Sequence, residues 1–381
     1  MFSILKIALR KLVKISLIFC GVILMLGIGL LLLETICGTL LGNEFYPNID
    51  QPDLEVGKSF IPGVRANQIS YFPIPGKPPD KWIKNRYFVR INSLGFRGEE
   101  VSPSDFSKLR IMALGDSCTF GYGENEEDIY TTLLEKILSE KTPSKVYNLG
   151  HPGYTAYQGL TIFRKMAPIL RPDVVIIAFG ANDGDDVKNL PPFYALPRLP
   201  DNQVFDKAIS LSTMQKVKFG ITKLVAVNLK DSKALHWFTK KLTLKMHKNI
   251  RTTTIKEPRL TPQECKEKLV ETVLEAKKHG TISILVAMCA RDNYEKAVKE
   301  AGLATGTPVI SVKELFRGHI NEFAQSADYS KEAQKVREKF GVYLTDYPYL
   351  LFTNDGCHPN PLGHRIIAEE IFNKIAAISP Q

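Results

Sequence analysis

RIMALGDSCTFGYG, Arg110 to Gly123, is an apolar run that stops abruptly at Gly-Asp-Ser and a glycine-rich turn. A short continuous hydrophobic run of this kind predicts a strand buried on both faces. Two more runs repeat the form: KVYNL (Lys145–Leu149) before GHPGYTAYQG, and DVVIIAF (Asp173–Phe179) before GAND. Between them, Asp128–Glu140 and Tyr157–Leu170 carry helical periodicity. Further on come ISILVAM (Ile282–Met288), a helix near Asn293–Ala301, PVI (Pro308–Ile310), and a last helix over Pro361–Ala377 with Ile366, Ile367, Ile371 and Ile375 on its inner face. Buried strands alternating with helices predict an α/β protein whose parallel sheet is covered on both sides. Ligands of such sheets bind beyond the carboxyl ends of the strands, so chemistry is expected just after each run.

Each of these turns offers a group suited to acyl chemistry. Ser117 stands on a strand-to-helix turn, where its hydroxyl points out and its N–H has no helical partner. A serine attacks only when a base takes its proton, and Gly-Asp-Ser taken singly reads as a helix cap. Gly153, with Gly150 as a rival, lets backbone approach a substrate and offers an N–H. Asn182, within Gly180 to Asp183, brings a side-chain amide, although Asn-Asp alone reads better as a plain turn. The N–H groups of Ser117 and Gly153 and the amide of Asn182 can together hold a developing oxyanion. A fourth block, DGCHPNPLGH, precedes the last helix. Its Asp355 and His358 are three apart in a turn, so the carboxylate can reach one ring nitrogen while the other faces the serine. His364, on the helix that follows, is expected to be solvated.

The four blocks in this order resemble the SGNH hydrolase family, also called GDSL esterases and lipases: Gly115-Asp116-Ser117, Gly153, Gly180-x-Asn182-Asp183 and Asp355-x-x-His358. The resemblance covers Arg110 to Asn189 and Gly280 to the C-terminus. It implies a three-layer, flavodoxin-like α/β/α fold with five parallel strands. It also implies an oxyanion hole from Ser117, Gly153 and Asn182 and a triad of Ser117, His358 and Asp355. The activity implied is carboxylic ester hydrolysis through an acyl-enzyme, with no metal or organic cofactor. The match of Gly153-Tyr154-Thr155-Ala156-Tyr157-Gln158-Gly159 to the family block favours Gly153 over Gly150. Cys118 departs from the family name, which has Leu there, and this bears on the acyl pocket rather than on the serine. NSLGFRG, Asn92 to Gly98, resembles the preface of membrane-tethered members; its Arg97 is read as structural first, with substrate contact as the alternative. The same residues serve acyl transfer to a sugar hydroxyl of an extracytoplasmic glycan equally well. The rival of another class is a non-catalytic surface-binding protein, against which the complete set argues. Glycan esters and lipid esters are both compatible substrates.

Upstream, Ile15 to Leu33 (ISLIFCGVILMLGIGLLLL) carries no charge and follows Lys6, Arg10, Lys11 and Lys14. About 20 apolar residues span a bilayer, whereas a cleaved signal has a core of about 7–15 and a small-x-small site, which is missing here. Bulky Ile36 before Cys37 argues against a lipoprotein. Residues 1–14 are therefore expected to be a cytoplasmic basic N-terminus, and 15–33 an uncleaved transmembrane anchor ended by Glu34. Residues 43–108 are expected to be a tether with a strand-rich preface including Tyr87–Ile91. Residues 109–381 then form the main domain, outside the cytoplasm by the positive-inside rule.

The formal charge is +10. Residues 190–260 hold 14 Lys+Arg and 4 Asp+Glu, which is the whole excess and speaks against a general nucleic-acid binder. Two amphipathic helices are expected there, burying Met214, Val217, Ile221, Leu224, Val225 and Asn228, and Leu235, Phe238, Leu242 and Met246. This insertion leaves the sheet just after Asp183, so it is expected to cap the site. Lys216, Lys223, Lys240, Lys241, Lys245 and Lys248 would then face outward, merely solvated or meeting anionic lipid or an acidic glycan. Six scattered cysteines are too few for a disulfide scaffold. Cys118 and Cys357 each adjoin a candidate triad residue and are expected to lie close, as small wall residues or as a disulfide.

Overall fold

The computed structural model describes residues 2–42, 45–73, 82–102, 108–187, 213–237, 257–317, 330–340 and 356–378. It divides into two compact units, one of Met1–Asn48 with Asn228–Arg251 and one of Ile49–Val227 with Thr252–Gln381.

The smaller unit is built on α1 (Phe2–Leu41), which contains a stretch long and apolar enough to cross a membrane. The helix runs past Glu34, the charge that ends the apolar run, for two more turns, in which Cys37 and Leu41 are buried. The Glu34 carboxylate has partners. It accepts from Lys233 N at 2.8 Å, from Ala234 N at 3.3 Å and, closely, from the Ser232 hydroxyl. Those donors sit at the start of a helical turn, 233–237, so Glu34 satisfies N–H groups that the turn itself leaves open. Asn48 N donates to Lys230 O at 2.9 Å, and His236 packs edge-on against Phe45 and Tyr46.

The larger unit opens with two antiparallel pairs, β1 (Asp50–Asp53) with β2 (Gly57–Phe60) and β3 (Arg65–Pro73) with β4 (Trp82–Arg90). Then β5 (Leu109–Gly115), β6 (Ser144–Gly150), β7 (Val174–Ala178), β8 (Ile282–Ala287) and β9 (Val309–Ser311) form a five-stranded parallel sheet in the order β6-β5-β7-β8-β9. This is the α/β fold class expected from the apolar runs. Among the described residues the helices include, in chain order, α2 (Ser117–Phe120), α3 (Tyr130–Ser139), α4 (Ala156–Leu170), α5 (Thr213–Asn228), α6 (Pro262–Lys278), α7 (Asp292–Thr305), α8 (Ser330–Phe340) and α9 (Pro361–Ile378).

Successive residues of β5 point to opposite faces, as strand geometry requires. Ile111 and Ala113 pack with Leu134 of α3 and Ile366 and Ile371 of α9. Met112 and Leu114 pack with Phe163 of α4, Leu269 of α6 and Val298 of α7. Helices thus cover both faces, giving three layers. In register, Gly115 of β5 faces Gly150 of β6 and Ala178 of β7, so three strands end level at one edge of the sheet.

Two expectations need correction. His364 is fully buried, not solvated. Its Nδ1 accepts the N–H of Tyr130 at 3.2 Å, an otherwise open donor at the first residue of α3. In α5, Val217, Ile221 and Leu224 are 52–65% exposed, whereas Phe219, on the opposite side of the helix, is 9% exposed. The apolar stripe expected to be buried thus points outward. Phe238, Leu242 and Met246, with Lys240, Lys241, Lys245 and Lys248, lie outside the described residues.

Arg97 ties the preface to the sheet domain. Its buried guanidinium donates to Phe120 O, Gly121 O, Glu124 O and Phe88 O at 2.5–3.3 Å and lies 4.7 Å over the Phe120 ring. Burial pulls its pKa down to about 10, which leaves it protonated at neutral pH. It is structural, as first read. Replacing it with Met would leave buried carbonyls without donors, so Arg97→Met is expected to lower stability by about 3 kcal/mol. The check is thermal unfolding; an unchanged Tm would contradict the clamp.

Candidate functional site

The level strand ends place three turns side by side, and the first carries Ser117. Asp116 precedes α2 and caps it, accepting the Cys118 N–H at 2.9 Å. Gly121 closes α2 in the left-handed region at φ 82°, where only glycine sits without strain. Ser117 is half-buried on this tight turn, and its Oγ lies 2.8 Å from Nε2 of His358. The His358 ring is backed by Tyr122, 4.9 Å away between centroids, from the same glycine-rich turn. Asp355 lies outside the described residues.

The turn after β6 runs under the serine turn. Gly150 allows this, because a Cβ there would sit 2.3 Å from Phe120 N and 2.7 Å from Thr119 C. Asn148 fixes the crossing by donating to Thr119 O at 2.9 Å and Thr131 Oγ1 at 3.1 Å. His151 then stacks between Phe60 and Tyr154, at 4.1 and 4.3 Å, and burial lowers its pKa. Gly153 follows at φ 83°, half-buried. Its carbonyl accepts from Arg259 Nη1 at 2.5 Å, while Nη2 of the same side chain donates to Gln158 Oε1 at 3.0 Å.

The turn after β7 supplies Asn182 and Asp183. Asn182 Nδ2 donates to Asp116 Oδ2 at 3.1 Å and Tyr154 O at 3.2 Å, so the amide stands between the first two turns. Asp183 is fully buried and accepts from Gly180 N and Ala156 N, both at 3.0 Å, which ties this turn to the start of α4. Burial raises Asp116 to about 6, against the pull of the Cys118 N–H and of His358. Beyond Asp183, the two ends of the insertion are pinched together: Val187 N donates to Glu257 O at 3.0 Å and Arg259 N to Asp185 O at 2.9 Å.

The structure thus brings Ser117 and His358 into hydrogen-bond distance and places Asn182 beside Asp116. It adds Arg259, and it gives Asp116 and Asp183, named above only as members of their blocks, the task of tying the turns together. Arg259 left no local signal, because it works on a main-chain carbonyl 106 residues away. Cys118 and Cys357 are close, with sulfurs 4.0 Å apart, yet the disulfide joins Cys357 to Cys289, whose Cα atoms are 5.2 Å apart. Cys118 is a buried wall residue outside that bridge, its Sγ donating to Cys357 O at 3.8 Å.

The sequence profile of the GDSL-like Lipase/Acylhydrolase family matches residues 113–366. Similar solved structures include the psychrotrophic esterase EstA from Pseudoalteromonas sp., at 14% identity over 71% of this chain and 98% of that chain, with a TM-score of 0.39. A lipase/acylhydrolase from Enterococcus faecalis is similar at 18% identity, 71% and 98% coverage and TM-score 0.37. A catalytic mutant of Axe2, an acetylxylan esterase from Geobacillus stearothermophilus, follows at 16%, with 71% and 94% coverage and TM-score 0.39. No curated protein matches the sequence.

Arg259→Gln removes the grip on Gly153 without touching Ser117 or His358. We expect ester kcat to fall about 10-fold or more with KM little changed, the pattern of a lost transition-state contact; equal kcat would contradict the positioning role. Cys289→Ser opens a bridge between residues 68 apart and is expected to cost roughly 2–4 kcal/mol of stability. An unfolding curve that does not shift would count against it.

Proposed function

The chain belongs to the GDSL-like lipase/acylhydrolase family, and on that premise we propose that it is a serine-dependent carboxylic ester hydrolase held at a membrane surface. The observation that carries the reading is the 2.8 Å contact between Ser117 Oγ and His358 Nε2 at the carboxyl edge of the sheet.

In this mechanism Oγ attacks the ester carbonyl carbon as its proton passes to Nε2 of His358. The carbonyl oxygen becomes an oxyanion, which the N–H groups of Ser117 and Gly153 and the amide of Asn182 stabilise. To serve there, the Asn182 amide gives up one of its present bonds, to Asp116 or to Tyr154. The imidazolium returns its proton to the leaving alcohol, and the acyl group stays on Oγ. Water, deprotonated by the same histidine, then attacks the acyl-enzyme and releases the acid. We assign Asp355 to orient the ring through Nδ1, on its spacing from His358 and the family pattern. No step calls for a metal or an organic cofactor. The substrate is an acyl ester of a glycan or lipid.

We read α1 as a retained anchor with its N-terminus in the cytoplasm and the catalytic unit outside. Supporting this are the basic residues before the apolar stretch and the bonds of Glu34 to 232–234, which hold the residue just beyond that stretch. The full-length chain is expected to remain in the membrane fraction at undiminished mass; a shortened, released chain would overturn this part.

Ser117→Ala is expected to abolish turnover of a chromogenic ester while the protein stays folded, and Asp355→Asn to lower it by roughly 10³-fold or more. Substantial turnover by folded Ser117→Ala would end the reading. With a carbohydrate acceptor present, the free acid is the expected product; an acylated acceptor would reassign the enzyme to acyl transfer with the same residues.

A further inference from the structure

The outward stripe of α5 is built like a helix that lies in a membrane interface. Val217, Ile221 and Leu224 are 52%, 58% and 65% exposed, whereas Phe219, on the opposite side, is 9% exposed. At 100° per residue these three outward positions span about 60° of the helix surface, and Lys216, Lys218 and Lys223 fall roughly 100–120° to either side of Val217. Lysines flanking an apolar stripe can lay their stems along it and hold their ammonium groups at headgroup level. Leu229, just past the helix, is also exposed at 48%. Residues 213–237 carry five lysines against one acid, Asp231, which pairs with Lys230 at 3.0 Å.

Chain continuity bears on what covers this stripe. Asn228 ends α5, and four residues later Ser232 is bound to Glu34, at the outer end of the apolar stretch of α1. Four residues span at most about 14 Å. The end of α5 is therefore leashed to the depth at which the apolar helix would leave a bilayer. His236 and Trp237 follow, with Phe45 and Tyr46 against His236, the ring-rich composition of an interfacial belt.

We propose that α5 is a lipid-docking element: Val217, Ile221, Leu224 and Leu229 insert at the acyl boundary of the bilayer that holds α1, and Lys216, Lys218 and Lys223 meet anionic headgroups. This rests on the retained anchor. A protein partner on the same stripe is the competing outcome.

The test uses the full-length chain in lipid nanodiscs of phosphatidylcholine and phosphatidylglycerol, with tryptophan placed as Ile221→Trp or, as a second variant, Leu224→Trp. Brominated acyl chains quench only indoles that reach them. Relative to the parent chain, the added tryptophan is expected to emit to the blue and to lose most of its intensity in brominated discs. Lys216→Glu, Lys218→Glu and Lys223→Glu together are expected to diminish that loss in anionic discs. Water-like emission that bromine does not touch, in a chain retained by the disc, overturns the docking and leaves the anchor standing. A chain that does not enter discs overturns the anchor instead.

Discussion

The site depends on the register that sets Gly115 level with Gly150 and Ala178. Parallel strands that end together deliver their following turns to one edge, and here the three turns must cross within van der Waals distance of one another. The crossing at Gly150 leaves no room for a side chain, since a Cβ would meet the main chain of Thr119 and Phe120. A slip of one residue along β6 would turn its buried side chains to the opposite face and move the Gly153 turn away from Ser117. Register is therefore the constraint on which the placement of the serine rests.

The turns are then fixed by buried polar groups rather than by apolar packing alone. Asp116 links the serine turn to Asn182, Asp183 links Gly180 to the start of α4, Arg97 holds the carbonyls of the glycine-rich turn, and Arg259 holds Gly153. Such groups stabilise a structure only when their partners are present, and they penalise any alternative that leaves them unpaired. Burial pushes the Asp116 carboxyl up to about 6, against the pull of the Cys118 N–H and of His358. An acid raised from 3.8 binds its proton more tightly in the folded than in the unfolded state. The group therefore adds stability below pH 4, which is lost as pH rises from about 4 to 6.

Apolar periodicity made the sheet and its helices legible, because a strand buried on both faces and an amphipathic helix leave different patterns. The GDS and DGCHPN blocks directed attention to Ser117 and His358, since each follows an element boundary where side chains point toward solvent or ligand. Arg97 was legible only through its turn-rich NSLGFRG block, and Arg259 carried no comparable signal. Arg259 bonds to a main-chain carbonyl, and a carbonyl acceptor leaves no trace in residue identity. His364 was misread because a histidine near the start of a helix looks solvated until the neighbouring α3 brings it the Tyr130 N–H. The outward stripe of α5 was misread for a related reason: hydrophobic periodicity locates an apolar face but does not say whether protein or lipid covers it.

The central claim is that the Ser117 oxygen is the nucleophile and His358 its base. The direct measurement is covalent trapping: incubate the full-length protein with an alkyl fluorophosphonate and locate the adduct by peptide mass mapping. The account predicts one phosphonylated residue, Ser117, with labelling lost in a folded His358→Ala variant. A phosphonyl group on another residue, or unreduced labelling of Ser117 without His358, would contradict it.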